Sequence, residues 1–242
     1  MASKKRLDQL IQERYPDMSR TLIQSFITQG KVTVNGQPVS KSGTQVAQDA
    51  EITITTEQPK YVSRAGFKLE KALDHFNIDV TGLIALDAGL STGGFADCLL
   101  QRGIKRIYGI DVGYGQVHEK IRKDDRVVVM ERTNLRNVTQ LPELVDLVTL
   151  DLSFISVLKV MEAITHLMKE HAKMIVLIKP QFEAERGQVG KGGIIKNVEI
   201  HKQVTENVIK GIETYGFTCK GLIESPIEGA MGNKEFLAYF VR

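Results

Sequence analysis

The chain is 242 residues long, with 42% hydrophobic residues and a formal net charge of +3, enough to bury a sizeable core in one large domain or two smaller ones. So small a charge excess excludes a globally basic nucleic-acid binder, and any attraction to a polyanion must come from local patches. Cys98 and Cys219 lie far apart and the five histidines share no ligand spacing, so neither a disulfide framework nor a metal site is expected.

No stretch approaches the roughly 18 apolar residues of a membrane span, and no apolar run follows the charges of Met-Ala-Ser-Lys-Lys-Arg at the N-terminus, so a cytoplasmic setting without a membrane partner is expected. From Arg6, residues Leu7, Leu10 and Ile11 recur on one helical face. After Pro16-Asp17-Met18-Ser19, residues Leu22, Ile23, Phe26 and Ile27 do so again, predicting two short helices. Gly30 ends the second. Lys31 to Val34 running into Asn35-Gly36 predicts a strand and a tight hairpin, and Glu51 to Thr55 another strand. Thr56 to Ser63, with Pro59 inside it, shows no sustained apolar period. The predicted division is a small α+β domain over 1–58, a linker over 59–63, and a larger domain over 64–242.

Beyond the linker, helical patterns alternate with fully apolar strand patterns, the texture of a parallel sheet covered by helices on both faces. A helix is predicted from Arg64 to Phe76, with strands near Leu83–Asp87, Arg106–Asp111, Arg126–Met130, Leu147–Asp151 and Met174–Lys179 and a final pair at Phe217–Ile223 and Phe236–Val241. The fold class is therefore α/β and Rossmann-like, with a mostly parallel seven-stranded sheet whose last strand runs antiparallel.

The first of these strands runs through Asp87-Ala88-Gly89-Leu90-Ser91-Thr92-Gly93-Gly94-Phe95 into a helix. Glycines in such a turn let the backbone approach a ligand beside free helix-terminal amides. The second strand ends in Asp111, a carboxylate placed to accept hydrogen bonds from ribose hydroxyls. The Gly-x-Gly-x-x-Gly fingerprint of dinucleotide enzymes is not met. Four further polar residues stand at informative places: Lys68 on the first helix of this domain, Asp151 and Lys179 ending the fourth and fifth strands, and Glu235 opening the last. An antiparallel last strand would bring Glu235 to the same sheet edge as Asp151 and Lys179.

The Asp-x-Gly-x-Ser-x-Gly-Gly-Phe run resembles that of the FtsJ-like ribose methyltransferases and their TlyA, or haemolysin A, relatives. That resemblance implies S-adenosylmethionine as cofactor, with Asp87, Gly89, Ser91, Thr92 and Gly93 around its methionine part and Asp111 on its ribose. It also places Asn134 near the adenine, where a plain loop asparagine is the other reading. Lys68, Asp151, Lys179 and Glu235 match the families' Lys-Asp-Lys-Glu tetrad. Methyl transfer to a 2'-hydroxyl needs alignment and proton removal. Lys179 is accordingly expected to remove or steer the proton, Asp151 and Glu235 to hold the two lysines, and Lys68 to help position the ribose.

In the first domain, Arg6-Leu7-Asp8-Gln9-Leu10, Ser19-Arg20 and Gly30-Lys31-Val32-Thr33-Val34-Asn35-Gly36 resemble the RNA-binding domain of ribosomal small-subunit protein four, over roughly residues 5–56. The resemblance implies an RNA backbone tracked by Arg6, Arg20 and Lys31. Both resemblances together cover nearly the whole chain and imply ribose 2'-O-methylation of ribosomal RNA, typically at cytidine. The basic, glycine-rich run from Arg186 to Gly193 is either a phosphate-gripping lid or a plain connection. Two rival readings are a non-catalytic RNA-binding or ribosome-assembly factor and a membrane-active haemolysin, the latter disfavoured because the apolar runs are short and bounded by charges.

Overall fold

The computed structural model describes residues 4–55, 60–185, 187–229 and 232–242. The chain divides into two compact units, Met1–Pro59 and Lys60–Arg242.

The first unit holds β1 (Lys4–Arg6), α1 (Leu7–Arg14), α2 (Arg20–Thr28), β2 (Val32–Val34), β3 (Gln37–Pro38), β4 (Gln45–Ala47) and β5 (Ile52–Ile54). β2 lies between β3 and β5, and β1 pairs with β4, all antiparallel. Leu7, Leu10, Ile11, Ile23 and Ile27 from the two helices pack on Val32, Val46 and Ile52. Ser19 caps α2 by accepting the amide of Leu22 at 3.2 Å. Asn35 and Gly36 both have positive φ, +51° and +76°, as a two-residue hairpin turn of this hand demands. Two features depart from expectation. Arg6 belongs to a strand rather than opening the helix, and β4 was not foreseen, because its three residues bury only Val46.

The second unit runs α3 (Ala65–His75), β6 (Ile84–Ala88), α4 (Gly94–Gln101), β7 (Arg106–Ile110), α5 (Glu119–Arg122), β8 (Val127–Met130), β9 (Val145–Leu150), α6 (Met161–Leu167), β10 (Met168–Ile178), α7 (Pro180–Glu183), α8 (Val198–Glu213), β11 (Thr218–Glu224) and β12 (Phe236–Val241). Among the described residues the sheet has seven strands in the order β11-β12-β10-β9-β6-β7-β8, with β12 antiparallel to both neighbours and β6 to β10 mutually parallel. One core lies between the sheet and α3, α4 and α5, the other between the sheet and α6 and α8. Successive strands step away from β6 in opposite directions, so the crevice opens at the carboxyl ends of β6, β7 and β9, where ligands of open α/β sheets bind.

Part of the expected linker is structured. Tyr61 is 2% exposed, sits edge-on to Phe67 with ring centroids 5.2 Å apart, and donates its hydroxyl to Glu70 at 2.9 Å. The amide of Val62 donates to the buried Asp97 at 2.8 Å. Lys60 to Ser63 therefore pack with the second unit; 56–59 lie outside the described residues. β10 begins at Met168, six residues before the expected Met174, because its first part carries polar Lys169, Glu170 and His171 and breaks register against β9. Among the described residues no helix is long and apolar enough to cross a membrane.

Candidate active site

The turn between β6 and α4 is shaped by its neighbours. Gly89 has φ +85°, and a side chain there would run into the carbonyl of Asp151; Gly93 has φ +92° and would meet Ile121. Ser91 also has positive φ, +48°, without being glycine. Its amide donates to Asp111 Oδ2 at 2.7 Å, and the amide of Gly113 donates to Asp111 Oδ1 at 2.7 Å, so both carboxylate oxygens are fixed by backbone. A cavity of about 520 Å³ opens here, lined by Gly89, Ser91, Asp111, Asn134, Asp151 and Phe154 among others.

Of the seven residues expected around a cofactor, Gly89, Ser91, Asp111 and Asn134 line this cavity, whereas Asp87, Thr92 and Gly93 do not. Thr92 instead presents its carbonyl to the amide of His118 at 3.1 Å. Asn134 caps a short turn, its side chain accepting the amide of Arg136 at 3.1 Å. Asp87 is fully buried behind the wall, where Oδ1 accepts the hydroxyl of Thr149 at 2.7 Å. Burial, joined by the negative charges of Asp151 and Asp111, pushes this carboxyl up to about 7.

The four tetrad residues form two ion pairs. Lys68, from α3, meets Glu235 at 2.5 Å, with 7% and 3% of the residues exposed. Lys179, just past β10, meets Asp151 at 2.5 Å and also donates to Ser153 Oγ at 2.9 Å. The topology explains the meeting: Ile178 pairs with Phe236 across the antiparallel β10–β12 step, so the residues beyond that rung, Lys179 and Glu235, leave the sheet at one edge. Asp151 belongs to both the Lys179 pair and the cavity wall, joining the tetrad to the cavity.

Phe154 is the residue that the sequence pattern missed. It holds φ +65°, a conformation costly for a bulky side chain, is 90% exposed, and bounds the cavity while packing on Phe182 at 5.0 Å between centroids. A phenylalanine beside a strand end reads as core, so only its strained backbone and exposure reveal it. The glycine-rich run ends in a short turn at Lys191–Gly193, whose Gly193 carbonyl accepts the side-chain amide of Asn233 at 2.9 Å, and Ile195 donates its amide to the same asparagine at 3.1 Å. Arg186 lies outside the described residues.

In the first unit, Arg20 is exposed at the start of α2, and Lys31 lies over the ring of Phe26 at 5.3 Å. Arg6 forms a two-pronged pair with Asp8, at 3.0 and 2.8 Å, and the guanidinium holds that buried carboxyl below its usual range.

Fold and site together define a methyltransferase-type α/β domain that follows a small α+β module. The FtsJ-like methyltransferase family model matches residues 61–242, and the S4 domain model matches residues 5–52. The chain belongs to the FtsJ-like methyltransferase family and carries an S4 domain in front of it. Among relatives, Hemolysin A of Brachyspira hyodysenteriae is 41% identical, over 98% of this chain and 99% of that protein. The 16S/23S rRNA (cytidine-2'-O)-methyltransferase TlyA of Mycobacterium tuberculosis is 39% identical, over 99% of this chain and 90% of that one. A solved structure from Streptococcus thermophilus, titled a hemolysin, aligns with TM-score 0.77 at 38% identity, over 100% of this chain and 90% of that one.

Proposed function

We propose that the protein transfers a methyl group from S-adenosylmethionine to a ribose 2'-hydroxyl of ribosomal RNA, at cytidine. The observation that carries this reading is the pair of ion pairs, drawn from four separate elements, with one of the pairs meeting the cavity through Asp151. The residues present fit a cationic nucleoside cofactor: the cavity is large enough for one, its wall carries Asp111 and Asp151, and the buried oxygen Asp87 Oδ2 behind it has no well-formed hydrogen bond. Asp111 would take the ribose of the cofactor, Gly89 and Ser91 its methionine part, and Asn134, also in the cavity wall, its adenine. When bound, the cofactor supplies an electrophilic methyl group.

Lys179 spends two of its three N–H donors on Asp151 and Ser153, and the third is available to the substrate hydroxyl oxygen. It orients that hydroxyl and stabilises the charge developing on it, while the carboxylate of Asp151 takes up the proton. Glu235 holds Lys68 against the ribose. The exposed ring of Phe154 offers a stacking face to a base drawn out of its helix. Arg20 and Lys31 hold the RNA backbone.

The test is transfer of isotopic label from S-adenosylmethionine into unmodified ribosomal RNA and assembled subunits, with nucleoside analysis of the product. Label on a cytidine ribose with wild type, and at least a hundredfold less with Lys179→Ala, is expected. Label on a base rather than a ribose, or wild-type rates in the variant, overturns the mechanism. Tight RNA binding with no label anywhere would make the protein a non-catalytic RNA binder.

A further inference from the structure

One acid of the site takes no part in the ribose reaction. Asp87, at 0% exposure on β6, faces Thr149 from β9, Asp151 just past its end, Asp111 just past the end of β7, and the amide of Ala96 in the first turn of α4. Asp97, also on α4, is tied to Lys120 at 2.8 Å, and Lys179 is committed to Asp151. Among the described residues no cation pairs with Asp87, and Oδ2 has no well-formed hydrogen bond. Burying such a group charged is expensive, and two further carboxylates on the adjoining cavity wall add to the cost. A positive charge entering the cavity reverses the sign of that local field.

We propose that Asp87 senses the charge of the ligand: it is protonated in a large fraction of the cofactor-free protein and gives up that proton when the cationic sulfonium cofactor binds. The site thereby favours that cofactor over its neutral thioether product. This rests on the cavity being the S-adenosylmethionine site. The proton leaves to solvent on binding and no covalent bond to Asp87 forms. After methyl transfer the sulfonium has become a thioether, Asp87 takes a proton back from solvent, and the electrostatic hold on the product weakens. Below pH 7 the proton must be expelled, so affinity for the cationic cofactor rises with pH by at most tenfold per unit and levels off above the carboxyl's titration near 7. Affinity for the thioether product, which has lost the sulfonium charge, rises less steeply.

Isothermal titration calorimetry of the full chain at pH 7, in PIPES and in imidazole, reads the protons exchanged from the difference in apparent enthalpy. Release of about half a proton is expected with S-adenosylmethionine, given a carboxyl that titrates at about 7, and clearly less with S-adenosylhomocysteine, which keeps the α-ammonium but lacks the sulfonium charge. Asp87→Asn should abolish the release. Thr149→Val, which removes the hydroxyl that favours the charged form, should increase it, and serves if Asp87→Asn fails to fold. Equal release with the two nucleosides, no release with the charged one, or release that persists in Asp87→Asn overturns the inference while leaving the cofactor assignment intact. Failure of both nucleosides to bind removes the cofactor assignment and the inference with it.

Discussion

Removing Lys68 would leave Glu235, only 3% exposed, as a buried charge without its partner. Breaking one half of a buried pair in this way costs about 3–5 kcal/mol, so Lys68→Ala should lose roughly that much stability in urea unfolding. Replacing both partners, as Lys68→Met with Glu235→Leu, should recover most of it without recovering methyl transfer. Phe154 should respond in the opposite sense. Glycine accepts φ +65° without strain, so Phe154→Gly should keep or raise stability by about 1 kcal/mol while raising KM for RNA. A fall in stability with an unchanged KM would show that the ring serves packing. At this scale the tetrad's members were legible as three polar residues at strand ends and one on a helix, expected as two carboxylates holding two lysines, but the register behind their pairing was not. Which lysine meets which acid depends on the β10–β12 register, which no local pattern carries.

The glycine turn between β6 and α4 was the most legible element, since an apolar strand leading into closely spaced glycines has few alternatives. Its glycines, however, answer to Asp151 and Ile121 as much as to a ligand. Gly89→Ala should therefore weaken cofactor binding more than tenfold in calorimetry, by pushing the Asp151 backbone and straining a left-handed position, and should lower activity through Asp151 as well. Residues 60–63 were less legible. A single aromatic in a polar run gives no period, yet Tyr61 fills a core position against Gly66 and Phe67. Tyr61→Ala should cost about 3–5 kcal/mol in the methyltransferase unit, measured by its unfolding transition. The short strands β1 and β4 were illegible for the same reason of length.

Across the whole molecule, a net charge of +3 leaves RNA attraction to a few local cations. Affinity for ribosomal RNA should fall linearly with the logarithm of salt concentration, and Arg20→Ala and Lys31→Ala should each reduce the slope by roughly one phosphate contact. Arg6→Ala should change the slope less than Arg20→Ala, because Asp8 already neutralises that guanidinium. Filter-binding titrations at several salt concentrations distinguish the three. The α/β class and the two-part organisation could be read from alternating patterns, whereas the reversed last strand was an assumption that no alternation carries, and the exact boundary in the chain depended on where Tyr61 packs.

The contact between Lys68 and Glu235 joins residues 167 positions apart, with the rest of the sheet assembled between them. Closing so long a loop is entropically worthwhile only once the intervening strands have found their places. A chain that has folded its nucleotide crevice but not docked β12 would hold cofactor and remain silent, so turnover reports completion of folding in a way that cofactor binding does not.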